Sequence, residues 1–245
     1  MIHLIFDLLA YATSFLVAYW LFRGKIALSG DSKWGYYTYA VVGFVVGAIV
    51  FSTINNYLSL NKLTLGKSVI GALFGAIVAI EWFKKRYGIK GSTGAYFVPS
   101  LAIGIAVGRV GCFLTGLPDF TYGIATTLPW GVDFGDGVIR HPVQLYESFS
   151  MFVFFIFSLW LLKYKRAFFM GKGFYIFTFY YSAQRFLWEY LKPYEKVAFG
   201  LNIFQILAIL LMAYAIMYFK LKAKSLEQRA NNVASPFFKW QSCKY

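Results

Sequence analysis

Residues Tyr96–Gly116 read YFVPSLAIGIAVGRVGCFLTG. The segment carries no charge until Arg109, which has glycines on either side, at 108 and 111, and a cysteine three residues on, at 112. About 20 helical residues cross the hydrocarbon core of a bilayer, so the segment reads as a transmembrane helix that closes on an arginine. An arginine costs roughly 2.5–3.5 kcal/mol at a helix centre on insertion scales. It costs less near a span end, where it snorkels to water. The fold is set by how many such spans the chain has, and the chemistry by what Arg109 meets there.

The rest of the chain is of the same kind. Hydrophobic residues make up 59% of it and charged residues only 14%, against about 25% charged in soluble domains. The pattern is that of an all-α, polytopic membrane protein. Seven helices are expected, over 3–22, 36–58, 67–83, 94–115, 143–163, 173–191 and 199–219. They form one membrane domain over 1–222, with an external loop at 116–142 and a cytoplasmic tail at 223–245. Gly43 and Gly47, Gly71 and Gly75, and Gly104 and Gly108 have the spacing that lets helix backbones approach in lipid. Helix one lacks a basic leader and a small-residue cleavage site, so it reads as a span rather than a signal peptide.

Basic residues orient the bundle. Segments 23–35, 84–93, 163–172 and 220–245 hold seventeen Lys and Arg, while the alternate segments 59–67, 116–142 and 192–198 hold five. The rich side is cytoplasmic, which puts the N-terminus outside and the C-terminus inside. The net charge of +14 then describes a rim facing anionic lipid, and no nucleic-acid partner is expected. Cys112 and Cys243 fall on opposite sides, which argues against a disulfide. There is no CxxC, HExxH or phosphate loop, and no metal or cofactor is expected.

Polar residues collect toward the outer face. RHPVQLYES at 140–148 leads into helix five, with Pro142 suited to a helix start. Gln144 and Glu147 fall in its first turns. In YYSAQRFLWEYLKP, at 180–193, Tyr181, Arg185 and Glu189 are spaced i, i+4, i+8 and share a helix face. Arg109 and Arg185 therefore approach the outer leaflet at matched depth from two helices. A guanidinium fork suits a phosphate, and here that phosphate would belong to a phospholipid headgroup.

GRVGCFLTG, TYG, TLPWGVDF and RHPVQLYE, taken in order, resemble the signature of the prolipoprotein diacylglyceryl transferases, GRxGNFxNGE…YG…LPWGV.F…RHPxQLYE. The segment at 180–193 resembles their YGxxRFxxExxR, and KWGYYTYAVVGF at 33–44 resembles their RWYGxxYxxGF more loosely. The resemblance spans about 33–193. It implies seven helices with the N-terminus outside, in a bacterial cytoplasmic (inner) membrane. It also implies transfer of the diacylglyceryl group of phosphatidylglycerol, or a similar phospholipid, to the lipobox cysteine of a prolipoprotein signal peptide, with glycerol phosphate released. Arg109 and Arg185 would hold the lipid phosphate and stabilise the leaving group. Glu189 would orient Arg185 or move a proton. Tyr181 and Tyr36 match tyrosines near the site. Gly108 and Gly111 would let backbone approach the headgroup. Arg140, His141, Gln144 and Glu147 would tie the external loop to the bundle and bind substrate.

The sequence departs from the family pattern at defined places. The HGGxIG motif reads GKSVIG at 66–71, with Gly66 in the histidine's position. Asparagines of the GRxGNFxNGE motif are replaced by Cys112 and Thr115, and its glutamate by Leu117. Lys67, beside the vacated histidine position, becomes a candidate for supplying charge to the acceptor thiol or the phosphate. Cys112 is expected to be a packing residue and not a nucleophile. Two other readings stay open on the residues alone: a lipid-modifying transferase with a different acceptor, and a phospholipid-binding or transport protein without chemistry. No internal repeat of the kind transporters use is present.

Overall fold

The computed structural model describes residues 2–22 and 32–234, with side chains from Lys33 through Lys220 in the second stretch. Cys243 lies outside the described residues. Among them are seven α-helices: α1 (Ile2–Phe22), α2 (Ser32–Leu60), α3 (Val69–Arg86), α4 (Val98–Thr115), α5 (Val143–Tyr164), α6 (Arg166–Trp188) and α7 (Ile203–Ala234). A 3₁₀ turn at Ala95–Phe97 leads into α4, and another at Glu189–Leu191 prolongs α6.

Five of the helices are long and apolar enough to cross a membrane: Ile2–Phe22, Lys33–Leu60, Ala95–Thr115, Val143–Tyr164 and Ile203–Lys220. Large side chains such as Phe15, Trp20, Val41, Phe149, Ile156 and Leu210 are exposed on them. A surface this apolar is stable only against lipid. The remaining two, α3 and α6, carry more charge. α3 ends in Lys84, Lys85 and Arg86, while α6 holds Arg166, Lys172 and Arg185. They tolerate it because protein, not lipid, covers much of them. α3 packs on α2 and α7, and α6 packs on α5 and α7.

Glycine decides how closely two of these pairs approach. A Cβ on Gly43 would lie 2.5 Å from the Gly75 carbonyl oxygen, and one on Gly47 would lie 2.2 Å from that of Gly71. The α2–α3 seam is thus backbone against backbone. In the α1–α4 pair, a Cβ on Gly104 would meet Ser14 Oγ at 2.2 Å.

The boundaries that depart furthest from those expected are the start of α6 and the end of α7. α6 begins at Arg166, with only Lys165 separating it from α5. Hydropathy placed a basic loop at 163–172, but lysine and arginine are good helix formers, and the helix runs on through them. α7 likewise continues past 219 to Ala234.

The loop over 116–142 is ordered by local hydrogen bonds. Asp133 Oδ1 accepts the N–H groups of Gly135, Asp136 and Gly137 at 2.8, 3.1 and 3.1 Å. This closes a turn between strands β1 (Val132–Asp133) and β2 (Ile139–Arg140). The loop is pinned to the bundle where the Ile124 N–H donates to the Leu191 carbonyl at 2.7 Å and the Tyr194 hydroxyl donates to the Phe120 carbonyl at 3.0 Å. It therefore covers the end of the bundle formed by the C-termini of α4 and α6 and the N-terminus of α5, called here the loop end.

Candidate active site

Arg109 lies in the last two turns of α4, Glu147 in the second turn of α5 and Arg185 in the last turn of α6. The three side chains are buried and meet. Arg109 Nε lies 2.5 Å from Glu147 Oε2, and Arg185 NH1 donates to Glu147 Oε1 at 2.5 Å. Arg185 NH2 also pairs with Glu189 one turn on. Ser148 Oγ donates to the Ala106 carbonyl at 2.7 Å, which fixes α5 against α4 at this level. Glu147, expected to bind substrate from the loop motif, sits between the two arginines.

Lys192 completes the cluster, and the sequence reading did not single it out. Its buried Nζ donates to Glu147 Oε1 at 2.6 Å and to Glu189 Oε1 at 3.4 Å. Glu189 Oε2 accepts from Asn202 Nδ2 at 3.2 Å. Burial pushes the Lys192 ammonium's pKa down, and the neighbouring Arg185 pushes it further. Asn202 is held in turn, because its backbone N–H donates to Gln205 Oε1 and its Oδ1 accepts the Gln205 N–H. The signal for Lys192 was its i+3 spacing from Glu189, hidden because it was counted only among the basic residues of the 192–198 segment.

The cluster gathers three cations, Arg109, Arg185 and Lys192, around two carboxylates, Glu147 and Glu189. An uncompensated charge in such surroundings is costly. Around it, buried polar atoms lack hydrogen-bond partners among the described residues: the Tyr181 hydroxyl, Arg185 Nε and both amide atoms of Gln144. A buried unsatisfied group costs about 1–3 kcal/mol. A monoanionic ligand carrying several acceptor oxygens would meet both deficits.

Below the cluster lies an apolar cavity of about 260 Å³. Ile105, one turn before Arg109, and Phe177, stacked on Tyr181, line it near the charges. Leu73, Ile77, Phe97 and Phe174 continue it toward the other end of the bundle, where Tyr36, Glu81 and Lys84 border it.

The remaining expected residues fall in four places. Tyr36 is not brought to the arginines; its hydroxyl donates to Thr93 Oγ1 at 3.0 Å at the far end of the cavity. Arg140 clamps Asp136 through two hydrogen bonds of 2.6 and 2.7 Å and lies over the Tyr122 ring, within the loop. That contact holds the Asp136 carboxyl below its ordinary pKa. His141 Nδ1 lies 3.4 Å from the Tyr146 hydroxyl, and its carbonyl accepts the Gly123 N–H at 3.1 Å. Gly111 is needed for α1: a Cβ there would sit 2.3 Å from Phe6 Cβ. At Gly108 a Cβ would meet only Ala10 at 3.9 Å, so packing does not require glycine there.

Lys67 is largely exposed and pairs with Asp7 at 3.4 Å, outside the buried cluster. Gly66 is half-buried, and a Cβ there would lie 2.3 Å from Ser52 Oγ, so the Ser52 side chain would have to turn aside. Cys112, expected to be a packing residue, is half-buried, with Arg109 NH1 at 3.9 Å from its Sγ, and it forms a group with His3 and Asp119. His3 reaches this group from the start of the chain, more than a hundred residues before Cys112 and Asp119.

The family model for prolipoprotein diacylglyceryl transferase matches residues 8–221. Three relatives named phosphatidylglycerol–prolipoprotein diacylglyceryl transferase are similar to this chain. The protein from Campylobacter lari is 35% identical over 154 residues, covering 60% of this chain and 54% of its own. That from Nitratidesulfovibrio vulgaris is 34% identical over 174 residues, 63% of this chain and 64% of its own. That from Bordetella bronchiseptica is 33% identical over 201 residues, 74% of each. The match to the first two spans less than two thirds of their length. The chain belongs to the prolipoprotein diacylglyceryl transferase family.

Proposed function

We propose that this member of the family transfers the diacylglyceryl group of phosphatidylglycerol to the lipobox cysteine thiol of a prolipoprotein, at the outer face of a bacterial cytoplasmic membrane. The observation that carries the reading is the buried cluster of three cations and two carboxylates, with an apolar cavity whose lining begins one helical turn away at Ile105 and Phe177. A phosphodiester is monoanionic and joined to acyl chains, so it matches both parts at once. The names of the relatives supply the donor and acceptor.

In this reading Arg109, Arg185 and Lys192 receive the donor phosphate, and an acyl chain descends past Ile105 and Phe177 toward Tyr36. Glu147 and Glu189 keep the two guanidinium groups in place while the site is empty of lipid. The acceptor sulfur attacks the glycerol carbon next to the phosphate ester. The C–O bond breaks, and glycerol phosphate leaves with the electron pair. Charge then grows on the phosphate oxygens, where fixed cations stabilise the transition state more than the ground state. Tyr181 and Gln144 offer the departing headgroup hydrogen bonds that no protein group now takes. Arg140 and His141 act at a distance, by holding the loop over this end.

The orientation follows from the basic-residue asymmetry, which puts the loop end outside, where lipobox segments emerge. The test is release of glycerol phosphate from phosphatidylglycerol by the detergent-purified protein. Release that requires a lipobox peptide with an intact cysteine supports the reading. Binding of the lipid without any release, under conditions where a relative turns over, would favour the non-catalytic alternative.

A further inference from the structure

We propose that His3, Cys112 and Asp119 form a site for a zinc(II) ion, with an open position that takes the acceptor thiol as a thiolate. The second half rests on the transferase reading above; the metal site itself does not.

Three separate segments converge to make the group: the first turn of α1, the last turn of α4 and the short 3₁₀ turn at Leu117–Asp119. One ligand atom from each lies within 4.8 Å of the others. His3 Nε2 is 2.9 Å from Asp119 Oδ1. Zinc bonds of about 2.0–2.3 Å to nitrogen, oxygen and sulfur place neighbouring ligand atoms on the order of 3.5 Å apart. The group is therefore already near the size that the ion needs.

The outer contacts aim the ligands inward. Asp7 Oδ2 lies 3.2 Å from His3 Nδ1. A proton on Nδ1 leaves the Nε2 lone pair for a metal, the arrangement that carboxylates impose on zinc-binding histidines. Thr121 Oγ1 donates to Asp119 Oδ2 at 2.5 Å, which leaves Oδ1 facing His3 and Cys112.

Ligand type and charge select the ion. A thiolate and an imidazole favour zinc or a similar borderline ion over magnesium or calcium. The thiolate and the carboxylate together cancel a divalent charge. The loaded site is thus neutral, and the nearby Arg109 does not oppose it.

Three protein ligands leave a fourth position open, as in catalytic zinc sites. Cys112 Sγ lies 3.9 Å from Arg109 NH1, so the site adjoins the guanidinium that receives the donor phosphate. An acceptor thiol bound there gives its proton to solvent and becomes a zinc-bound thiolate at neutral pH. Its sulfur forms the S–C bond as the C–O bond to phosphate breaks. This route ionises the thiol in a chain that has Gly66 where the family pattern has its histidine.

The test uses the full chain in detergent, reconstituted separately with zinc and with cobalt(II). One equivalent of zinc is expected to survive dialysis. The cobalt protein should show a sulfur-to-cobalt charge-transfer band that Cys112→Ser removes. His3→Ala should lose the ion. Asp7→Asn, which spares every ligand, should weaken zinc about 10–100-fold. A lipobox peptide should add a second charge-transfer band, and its Cys→Ser form should not. Size exclusion shows that each variant is folded.

Sub-stoichiometric zinc with no charge-transfer band in the wild-type protein would overturn the site. Full transfer by metal-free protein would overturn the acceptor's place on the metal and leave the transferase reading standing. Zinc bound as described with no lipid transfer would sink the transferase reading and spare the site. Zinc bound with no second band from the peptide would overturn the acceptor's place on the metal.

Discussion

Arg185 NH1 donates to Glu147 Oε1 at 2.5 Å across 38 residues of sequence. This contact joins the end of α6 to the start of α5, and Arg109 meets the other oxygen of the same carboxylate. Glu147→Ala would leave two buried guanidinium groups facing each other. Loss of one partner of a buried pair costs about 3–5 kcal/mol. The expected result is a clear drop in the melting temperature of the detergent-purified protein. Arg140→Ala, which breaks an exposed pair in the loop, should leave the melting temperature nearly unchanged. Equal drops in the two variants would contradict the central place given to Glu147.

Arg109→Ala and Arg185→Ala should each abolish glycerol phosphate release while the protein stays in the membrane. Arg→Lys at either position should retain little activity, because an ammonium cannot reproduce a bidentate fork. Steady-state turnover with phosphatidylglycerol vesicles measures this. Near-normal rates in both alanine variants would remove the phosphate from this pair.

Lys192 predicts an alkaline limit on donor binding. Burial and Arg185 lower its pKa, so it loses its proton at a pH below that of a free lysine. As pH rises through that value, the cluster gives up a positive charge and holds the phosphate less well. Lys192→Arg keeps its charge across the range. Equilibrium binding of phosphatidylglycerol should therefore weaken with pH in the wild type and stay flat in Lys192→Arg. Parallel curves would show that Lys192 does not face the phosphate.

Orientation is checked by labelling. A cysteine introduced into 116–142 should react with an impermeant thiol reagent in intact cells, and one in 84–93 should not. The opposite pattern would move the whole cluster to the cytoplasmic face.

Much of this was legible in the sequence, for identifiable reasons. Arg109 stood out because a charge at the end of an apolar run is expensive. Arg185 and Glu189 stood out because a spacing of four puts them on one helix face. Helix direction then put both arginines toward the same end. Contacts between distant segments were not legible. Glu147 read as part of a loop motif, and only the packing of α5 on α4 and α6 places it between the arginines. His3 gave no signal because its neighbours Cys112 and Asp119 follow more than a hundred residues later. Tyr36 matched a family tyrosine by its local sequence, yet α2 carries it to the far end of the cavity. Gly111 read as headgroup clearance, whereas Phe6 of α1 occupies the space a side chain would need.

The central claim is that the buried arginine cluster holds the phosphate of a lipid whose diacylglyceryl group is transferred. Its most direct measurement is the intact mass of a lipobox peptide after incubation with purified protein and phosphatidylglycerol of defined acyl chains. The peptide should gain one diacylglyceryl group on its cysteine with wild-type protein, and gain nothing with Arg109→Ala or Arg185→Ala. An unmodified peptide with folded, lipid-bound wild-type protein would contradict the account, as would equal modification by the arginine variants.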